Sequence, residues 1–283
     1  MNVHDVPLLR CPDARAPLRF HGTNLEGQLQ DGVLVCDQTG EAWAVERGVP
    51  NLTRLAWHVG SDAAAAAMQD TVPALLDPIA AVSSLLLGAG RVAGLRDKVA
   101  KGLRLGPLSR VERPVRVLEL NVGTGSHIEP GFDQAPGADV QWWGCSLSIS
   151  ALRAAEARVA RNRGWPERVS LLLADAHHLP FADGVFDRVL MVGAVDCLRE
   201  PAVALRELGR VCREDGAVVL VDKHVTPERS VSPLARLTAA ALGRARSQPQ
   251  APPLGSLPPG SRKVEVEALS PAHYLLRFQP PRS

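Results

Sequence analysis

The sequence predicts an α/β protein built on a doubly wound parallel sheet, and three observations point to that class. Short apolar runs of strand length alternate with segments whose apolar residues recur at helical spacing. The strand segments are apolar along nearly their whole length, as in a parallel sheet that is covered on both faces. A glycine turn follows the first clear strand, at the edge where such sheets bind ligands. The 283 residues, 46% of them hydrophobic, can bury a core of this kind.

The first strand of this core and its turn occupy residues 116–125, which read Arg-Val-Leu-Glu-Leu-Asn-Val-Gly-Thr-Gly. The apolar residues within 117–120 predict a strand that is buried on both faces. Gly123 and Gly125 lack a Cβ, so the chain can turn sharply and a ligand can lie directly against the backbone. The spacing lacks the third glycine of the motif that seats a dinucleotide pyrophosphate. We therefore expect a nucleotide-type cofactor without a pyrophosphate, which disfavours a nicotinamide-dependent oxidoreductase.

The later elements of the core follow in the order strand, helix, strand. Residues 171–176 predict a strand that ends in Asp-Ala, and another strand opens at Phe186. Residues 201–212 carry apolar residues at helical spacing, and residues 217–221 predict the next strand. This alternation indicates a doubly wound sheet with helical crossovers.

At these positions the chain resembles the class I S-adenosylmethionine-dependent methyltransferases, within them the group that includes the ubiquinone and menaquinone C-methyltransferases. The resemblance covers about residues 70–222 and rests on three linked motifs: Glu-Leu-Asn-Val-Gly-Thr-Gly, Asp-Ala-x-x-Leu-Pro-Phe-x-Asp-x-x-Phe-Asp and Ala-Leu-x-Glu-Leu-x-Arg-Val. It implies a Rossmann-like sheet of seven strands. It also implies S-adenosyl-L-methionine as the cofactor and methyl transfer to a small organic acceptor as the reaction.

The resemblance further implies which residues bind the cofactor. Carried over by position, they are Glu119, Asn121, Gly123, Gly125, Ser146, Leu147, Asp175, Ala176 and Gly193. Glu119 would lie near the cofactor amino group, and Asp175 with Ala176 at the adenine. An acidic side chain at the end of a strand can accept hydrogen bonds from an ammonium or an exocyclic amine. In the alternative interpretation, Glu119 caps the nearby turn and Asp175 caps a helix.

Two positions depart from the family pattern. Asn121 stands where the loop usually begins with glycine, and asparagine is the other residue type that tolerates a left-handed backbone. Ser146 stands where the second strand usually ends in an acidic residue that holds both ribose hydroxyls. A serine makes only one such hydrogen bond, so we expect cofactor affinity to be weaker by about 1 to 3 kcal/mol. These departures keep open a non-catalytic or regulatory protein on the same fold.

The candidate catalytic residues follow the fourth and fifth strands of the core. Where relatives often carry a His-His pair, this chain has Asp196, which could act as a general base, and Cys197, which could be a reactive thiol. His224 is a comparable candidate on the substrate side. His177 and His178 are expected at the surface of the adenine-side turn. Most residues at such positions only line a pocket, so the catalytic assignment stays open.

Residues 1–56 are expected to form a separate segment with its own small β core, similar to the zinc-ribbon modules that precede some methyltransferase domains. Each knuckle of that module keeps only its first cysteine here, Cys11 and Cys36. A structural zinc needs about four N or S ligands, so we expect no bound metal, although His4, His21, Asp13 or Asp37 could complete a site. Methylation of RNA is the second enzymatic interpretation, because an intact ribbon would favour it.

The methyltransferase domain is expected over residues 57–283. Its predicted parts are a helical segment over the pocket, the cofactor-binding core, and a C-terminal helix, loop and pair of strands: 57–108, 109–222 and 223–283. The apolar residues 79–90 predict a helix that covers the pocket. The C-terminal part is predicted as a helix, a Pro/Gly/Ser loop and two alternating strands: 227–246, 247–260, 263–269 and 273–278.

The composition predicts a cytoplasmic protein and excludes several other classes. A net charge of +2 gives no indication of the strongly positive surface that nucleic-acid-binding proteins use. Five cysteines without regular spacing argue against a secreted disulfide scaffold. The first residues lack a basic and apolar secretory signal, and the 79–90 stretch is too short to span a bilayer. The methyl acceptor and the oligomeric state cannot be predicted from the sequence.

Overall fold

The structure is a computed structural model that describes residues 1–57, 59–71, 92–223, 251–270 and 273–282. It contains a four-stranded sheet at the N-terminus and a seven-stranded sheet after it. The predicted α/β fold with a seven-stranded sheet is confirmed. The two helices predicted over 79–90 and 227–246 lie outside the described residues, and so does His224.

The N-terminal sheet is antiparallel throughout, and its strands are neighbours in sequence order. The strands are β1 (Leu18–Leu25), β2 (Gln28–Cys36), β3 (Ala42–Glu46) and β4 (Val49–Pro50). Exposed and buried residues alternate along β3, so Trp43 and Val45 face inward. A 3₁₀ turn, Val3–Leu8, precedes the sheet.

The large sheet has five parallel strands and an antiparallel pair at one edge. Its strands are β5 (Val115–Leu120), β6 (Val140–Ser146), β7 (Val169–Leu173), β8 (Phe186–Val192), β9 (Cys212–Lys223), β10 (Arg262–Ser270) and β11 (His273–Gln279). Their order is β10-β11-β9-β8-β5-β6-β7, with β10 and β11 antiparallel to their neighbours. The two predicted C-terminal strands are confirmed, and β9 begins earlier than the predicted strand at 217.

The helices connect and cover these strands. Those described are α1 (Gly60–Thr71), α2 (Val92–Gly102), α3 (Ile128–Asp133), α4 (Ile149–Ala160) and α5 (Pro201–Val211). The helix predicted over 201–212 is confirmed as α5, and its apolar residues Ala204, Leu205, Leu208 and Val211 are buried because they recur on one face. Ser148 caps the N-terminus of helix α4, because its Oγ accepts a hydrogen bond from the Ala151 N–H at 3.0 Å.

The core lies on both faces of the large sheet, because successive residues of a strand point to opposite faces. One cluster joins Trp143, Phe181 and Phe186 of the large sheet region to Leu34 and Trp43 of the N-terminal sheet. The Phe181 and Phe186 rings meet edge to face, with centroids 4.9 Å apart. The N-terminal sheet therefore shares a core with one face of the large sheet, which corrects the prediction of a separate β core. The domain boundary at residue 56 stays a prediction.

Backbone hydrogen bonds also join the N-terminal segment to the large sheet. Leu52 N–H donates to the Leu173 carbonyl at the end of β7, at 3.0 Å. Arg10 N–H donates to the Pro180 carbonyl at 2.9 Å, in the turn that follows β7. The N-terminal segment is thereby fixed against the turn that carries Asp175.

Cys11 and Cys36 are buried free thiols that interact with each other. Burial raises the pKa of the Cys11 thiol. Burial opposes ionisation of Cys36 as well, but hydrogen bonds from Thr39 and its neighbours lower the pKa of that thiol. In the part of the chain that the structure describes, no group of three His, Cys, Asp or Glu side chains is arranged to hold a metal. No helix among the same residues is long and apolar enough to cross a bilayer.

Candidate functional site

The candidate site lies at the carboxyl ends of the parallel strands, here named the carboxyl edge. The strand order reverses at β5, which has β6 on one side and β8 on the other. Open α/β sheets bind ligands outside the strand ends at such a reversal. The strands reach this edge at polar residues or glycine: Glu119, Ser146, Asp175, Gly193 and Asp222.

The loop after β5 adopts the backbone that its sequence predicts. Asn121 is left-handed, with φ 57°, so the predicted tolerance of asparagine for this backbone is confirmed. Its Nδ2 donates to the Val192 carbonyl at 3.3 Å, which joins the loop to the end of β8. Gly123 is also left-handed, with φ 54°. A Cβ built on Gly123 meets no atom closer than 3.9 Å, so one side of the loop is open to a ligand.

Gly125 combines a left-handed backbone with close packing on its neighbours, and both favour glycine. Its φ is 71°, and a Cβ there would lie 3.0 Å from Ile128 Cδ1 and 3.4 Å from Ala155 Cβ. The loop therefore packs closely on α4 at this position. Gly125 fixes the loop against the helix, whereas Gly123 leaves space above it.

Glu119 is fully buried, and both of its carboxylate oxygens are bonded. Oε1 lies 2.8 Å from His127 Nδ1, and Trp142 Nε1 donates to Oε2 at 3.0 Å. Glu119 thus offers no exposed surface for the cofactor amino group that the family resemblance implies. The His127 side chain, which is bonded to this carboxylate, is 15% exposed and lies nearer the edge. The only sequence signal for His127 is its place two residues after the glycine turn.

Ser146 ends β6 and is buried, and its Oγ accepts a hydrogen bond from the Ser148 N–H at 3.0 Å. Leu147, between them, is half-buried. An acidic residue reaches the same place from α1. Asp70 Oδ1 accepts from Ser148 Oγ at 2.6 Å and from the Ser150 N–H at 3.0 Å. Nothing in the local sequence of α1 predicts this long-range contact.

Asp175 is fully buried at the end of β7 and forms a charged network. Its Oδ1 lies 2.7 Å from His177 Nδ1, and Arg199 Nη2 donates to its Oδ2 at 2.7 Å. Burial opposes ionisation, but these bonds from His177 and Arg199 lower the pKa of Asp175 to about 2. The predicted exposure of His177 is wrong, because its bond to Asp175 holds the ring inside, 4% exposed. Ala176 is half-buried beside them.

The adjacent His178 contacts the N-terminal segment. Its ring stacks on Trp57, with centroids 4.3 Å apart and planes 11° apart. Trp57 in turn lies 6.3 Å from Trp43, and the Arg54 guanidinium lies 4.9 Å above the Trp43 ring. His178 is half-buried for this reason, which also corrects its predicted surface position.

The end of β8 leads into a short turn that carries the catalytic candidates. Gly193 is left-handed, with φ 66°, and its N–H donates to the Val221 carbonyl at 2.8 Å. The 3₁₀ turn Val195–Cys197 follows. Asp222 Oδ2 accepts from the N–H of the first residue of this turn at 2.8 Å and from the Asp196 N–H at 3.3 Å. Asp222 therefore caps the turn that presents Asp196.

Titratable groups cluster around this turn. Burial, and then the charge of Asp196, raise the pKa of Asp222 to about 6. Tyr274 lies opposite Asp222 in the β9–β11 register, and burial with both carboxylates raises the pKa of its phenol. Burial and Lys223 lower the pKa of His273 to about 4. The Asp222 carboxyl group therefore stays mostly protonated up to about pH 6, above the range of an ordinary carboxyl group.

Helix α1 connects the two sides of the edge. It contacts α4, next to β6, and also the Val195–Cys197 turn, next to β8. The helix therefore passes over the reversal point at β5. The described part of the site thus has a glycine loop on one wall, a carboxylate network on the other, and a helix across them.

The comparisons with known proteins agree with this arrangement. A sequence model described as a methyltransferase domain matches residues 118–220. Demethylmenaquinone methyltransferase of Renibacterium salmoninarum is 31% identical over 190 residues, which cover 64% of this chain and 73% of that protein. The chain belongs to the class I S-adenosylmethionine-dependent methyltransferases. The predicted family and its cofactor are therefore confirmed.

Other methyltransferases match over shorter stretches. Demethylmenaquinone methyltransferase of Parafrankia sp. is 33% identical over 169 residues, covering 54% of this chain and 63% of that protein. The methyltransferase GfsG of Streptomyces halstedii is 35% identical over 107 residues, covering 38% of this chain and 37% of that protein. This chain thus spans less than two thirds of either relative.

Solved methyltransferase-fold structures match the architecture at low identity. Phosphoethanolamine N-methyltransferase 2 of Haemonchus contortus, solved with S-adenosyl-L-methionine, has a TM-score of 0.51 and 14% identity over 65% of this chain and 52% of that chain. The cyclase SpnF has a TM-score of 0.52 and 16% identity over 80% of this chain and 98% of that chain. At these identities the likeness concerns the fold alone.

Proposed function

We propose that this methyltransferase moves the methyl group of S-adenosyl-L-methionine to a small organic acceptor that binds beside the Val195–Cys197 turn. The observation that carries the cofactor part is the open, left-handed backbone at Gly123. A side chain there would fill the space in which a ligand can lie against the loop. The residues around the edge fit an adenosine-type ligand, because they combine an open backbone with imidazole and guanidinium groups, His127 and Arg199, at a strand reversal.

The cofactor-binding residues in this proposal come from each strand end: the loop from Asn121 to Gly125, Ser146 with Leu147, Asp175 with Ala176, and Gly193. Glu119 would act indirectly, by holding His127 through Nδ1 at 2.8 Å. Asp175 would contribute through the network that it forms with His177 and Arg199. Because Glu119 and Asp175 are buried, we propose that their partners, His127 and Arg199, contact the ligand instead.

The catalytic contribution of the protein is positioning plus, for an acceptor that must lose a proton, a base. When bound, the sulfonium cofactor supplies an electrophilic methyl group. Asp196 is the proposed base, because its turn lies next to Gly193 and under α1. Asp222 holds the Asp196 backbone through the 3.3 Å hydrogen bond, and α1 would exclude water above it.

A small or lipid-like acceptor is supported by the names of several relatives. They include demethylmenaquinone methyltransferases and a phosphatidylethanolamine N-methyltransferase of Cereibacter sphaeroides, which is 34% identical over 125 residues. The net charge of +2 gives no support for the RNA alternative.

Calorimetry with S-adenosylhomocysteine and with NAD tests the cofactor part of the proposal. We expect binding of the sulfur compound and none of NAD. Gly123→Val should abolish that binding, because a β-branched side chain would occupy the open space and strain the left-handed turn. Gly164→Val is the matched control, since Gly164 is also left-handed, with φ 77°, and has open space around its Cβ position. Binding of NAD alone would contradict the proposal.

A non-catalytic protein on this fold is the second candidate. The burial of Glu119 and Asp175, with both carboxylates bonded to protein groups, favours it. A release assay separates the two functions. An enzyme that is offered hydroquinone, amine and phenol acceptors should release S-adenosylhomocysteine with at least one of them, and Asp196→Asn should slow that release. Tight cofactor binding without release for any acceptor would favour the non-catalytic function.

A further inference from the structure

Asp70 of helix α1 lies at the end of β6, where the carboxyl edge itself has only Ser146. Asp70 Oδ1 accepts from Ser148 Oγ at 2.6 Å and from the Ser150 N–H at 3.0 Å. Ser146 Oγ accepts from the Ser148 N–H at 3.0 Å, so Asp70 and Ser146 are bonded to the same residue. Helix α1 therefore brings a carboxylate to a strand end that has none of its own.

This carboxylate is not needed to begin α4. Ser148 already caps that helix, by accepting the Ala151 N–H at 3.0 Å. Asp70 is exposed, and its Oδ2 accepts no hydrogen bond from the residues that the structure describes. Glu119 and Asp175 differ from it, because they are fully buried and both oxygens of each are bonded. Asp70 thus keeps an oxygen that a ligand can reach.

The position of α1 places Asp70 above the site rather than on a distant surface. The helix contacts α4 on the β6 side of β5 and the Val195–Cys197 turn on the β8 side. Ligands of open α/β sheets lie between such sides, outside the strand ends. The two hydrogen bonds to Ser148 and Ser150 fix the carboxylate at the β6 side of that crevice.

We propose that Asp70 holds the ribose hydroxyls of the adenosine ligand, in place of an acidic residue at position 146. The inference rests on the proposed function, because it requires an adenosine ligand at the carboxyl edge. A carboxylate accepts hydrogen bonds from two neighbouring hydroxyls, a geometry that one serine hydroxyl cannot provide. In other nucleotide-binding α/β folds, an acidic residue beside the reversal point accepts a ribose hydroxyl in this way. Ser148 is then a positioning residue that orients Asp70.

The test is calorimetric binding of S-adenosylhomocysteine and of its 2′,3′-dideoxy analogue. Asp70→Asn should weaken binding of the first ligand by about 10- to 100-fold, because it removes charge-assisted hydrogen bonds. The dideoxy analogue should bind the wild type and Asp70→Asn equally, since it has no hydroxyls to hold. Asp97→Asn in α2, an exposed helix acid with a lysine partner, is the matched control and should change neither affinity.

A rescue experiment separates ribose binding from helix capping. Ser146→Asp should restore affinity for S-adenosylhomocysteine in the Asp70→Asn background. The same change should give no gain in the wild type, where two carboxylates would repel each other. Equal affinity of wild type and Asp70→Asn, with only the melting temperature lowered, would show that Asp70 is a cap and overturn the inference alone. A wild type that binds no S-adenosylhomocysteine would overturn both the inference and the cofactor part of the proposed function.

Discussion

The buried carboxyl of Asp222 links the candidate catalytic turn to pH. Its side chain caps the Val195–Cys197 turn, and burial together with Asp196 raises its pKa to about 6. The folded protein thus holds this proton more tightly than the unfolded chain, in which the group titrates near 3.8. Asp222 therefore increases the free energy of unfolding below about pH 4, and this stabilisation is lost as the pH rises through about 6.

Asp222→Asn should remove this pH dependence. The free energy of unfolding of the wild type should fall between pH 4 and pH 7 by at most about 3 kcal/mol more than that of the variant. The limit follows from the raised pKa of Asp222, since each pKa unit corresponds to about 1.4 kcal/mol. Urea unfolding at several pH values measures the difference. Asp215→Asn, at an exposed position near the other end of β9, should keep the wild-type slope. Parallel curves for wild type and Asp222→Asn would show that Asp222 titrates normally.

Individual residues show which features of the site could be predicted from the sequence and which could not. Asn121 was predictable, because its left-handed backbone follows from residue type and its place in the turn. The burial of Glu119 was not, because it depends on Trp142 from the neighbouring strand and His127 from the following turn. Asp70 reaches Ser148 across 78 positions, a pairing that no local pattern encodes.

At the scale of elements, the Asp175 network joins the turn after β7 to the segment that leads into α5. Arg199, two residues before the helix, forms the ion pair with Asp175. The Glu200 N–H donates a hydrogen bond to His177 Nε2 at 3.3 Å. These bonds hold two loops of the carboxyl edge together. The strands and α5 could be predicted from periodicity, but the bonds between loops could not, because loop geometry follows from tertiary contacts.

Arg199→Met should destabilise the protein by about 3 kcal/mol at pH 7, because it leaves a buried carboxylate without its cationic partner. The deficit should shrink below about pH 4, where the unpaired Asp175 can take up a proton instead. Thermal and chemical unfolding measure both effects. Arg206→Met, on the exposed side of α5, is the control and should shift stability by less than about 0.5 kcal/mol. An equal loss in both variants would show that the ion pair with Asp175 does not account for the effect.

At the scale of the whole molecule, the N-terminal sheet shares one hydrophobic core with the large sheet. Leu34 and Trp43 pack in the same cluster as Trp143 and Phe181. The cysteine pattern predicted the β character of this segment but not its packing, because burial between distant segments leaves no periodic signature. Its docking also fixes His178 through Trp57.

Deletion of residues 1–56 should therefore prevent folding of the rest of the chain. The truncated protein would expose the apolar side chains that the N-terminal sheet covers in the shared core, which favours aggregation. Size-exclusion chromatography and near-ultraviolet circular dichroism of the 57–283 fragment test this expectation. A monomeric fragment with native tertiary signals would show that the N-terminal segment is an independent domain, as its sequence pattern predicts.

The shared core also determines when the protein can fold during synthesis. Leu34 leaves the ribosome ahead of its partner Phe181 by roughly 150 residues, the distance between their positions. Translation at about 5 to 20 residues per second makes this interval roughly 7 to 30 seconds. Throughout that time the inward face of the N-terminal sheet has no cover. We therefore expect the nascent chain to expose apolar surface that chaperones bind until the strands of the large sheet emerge.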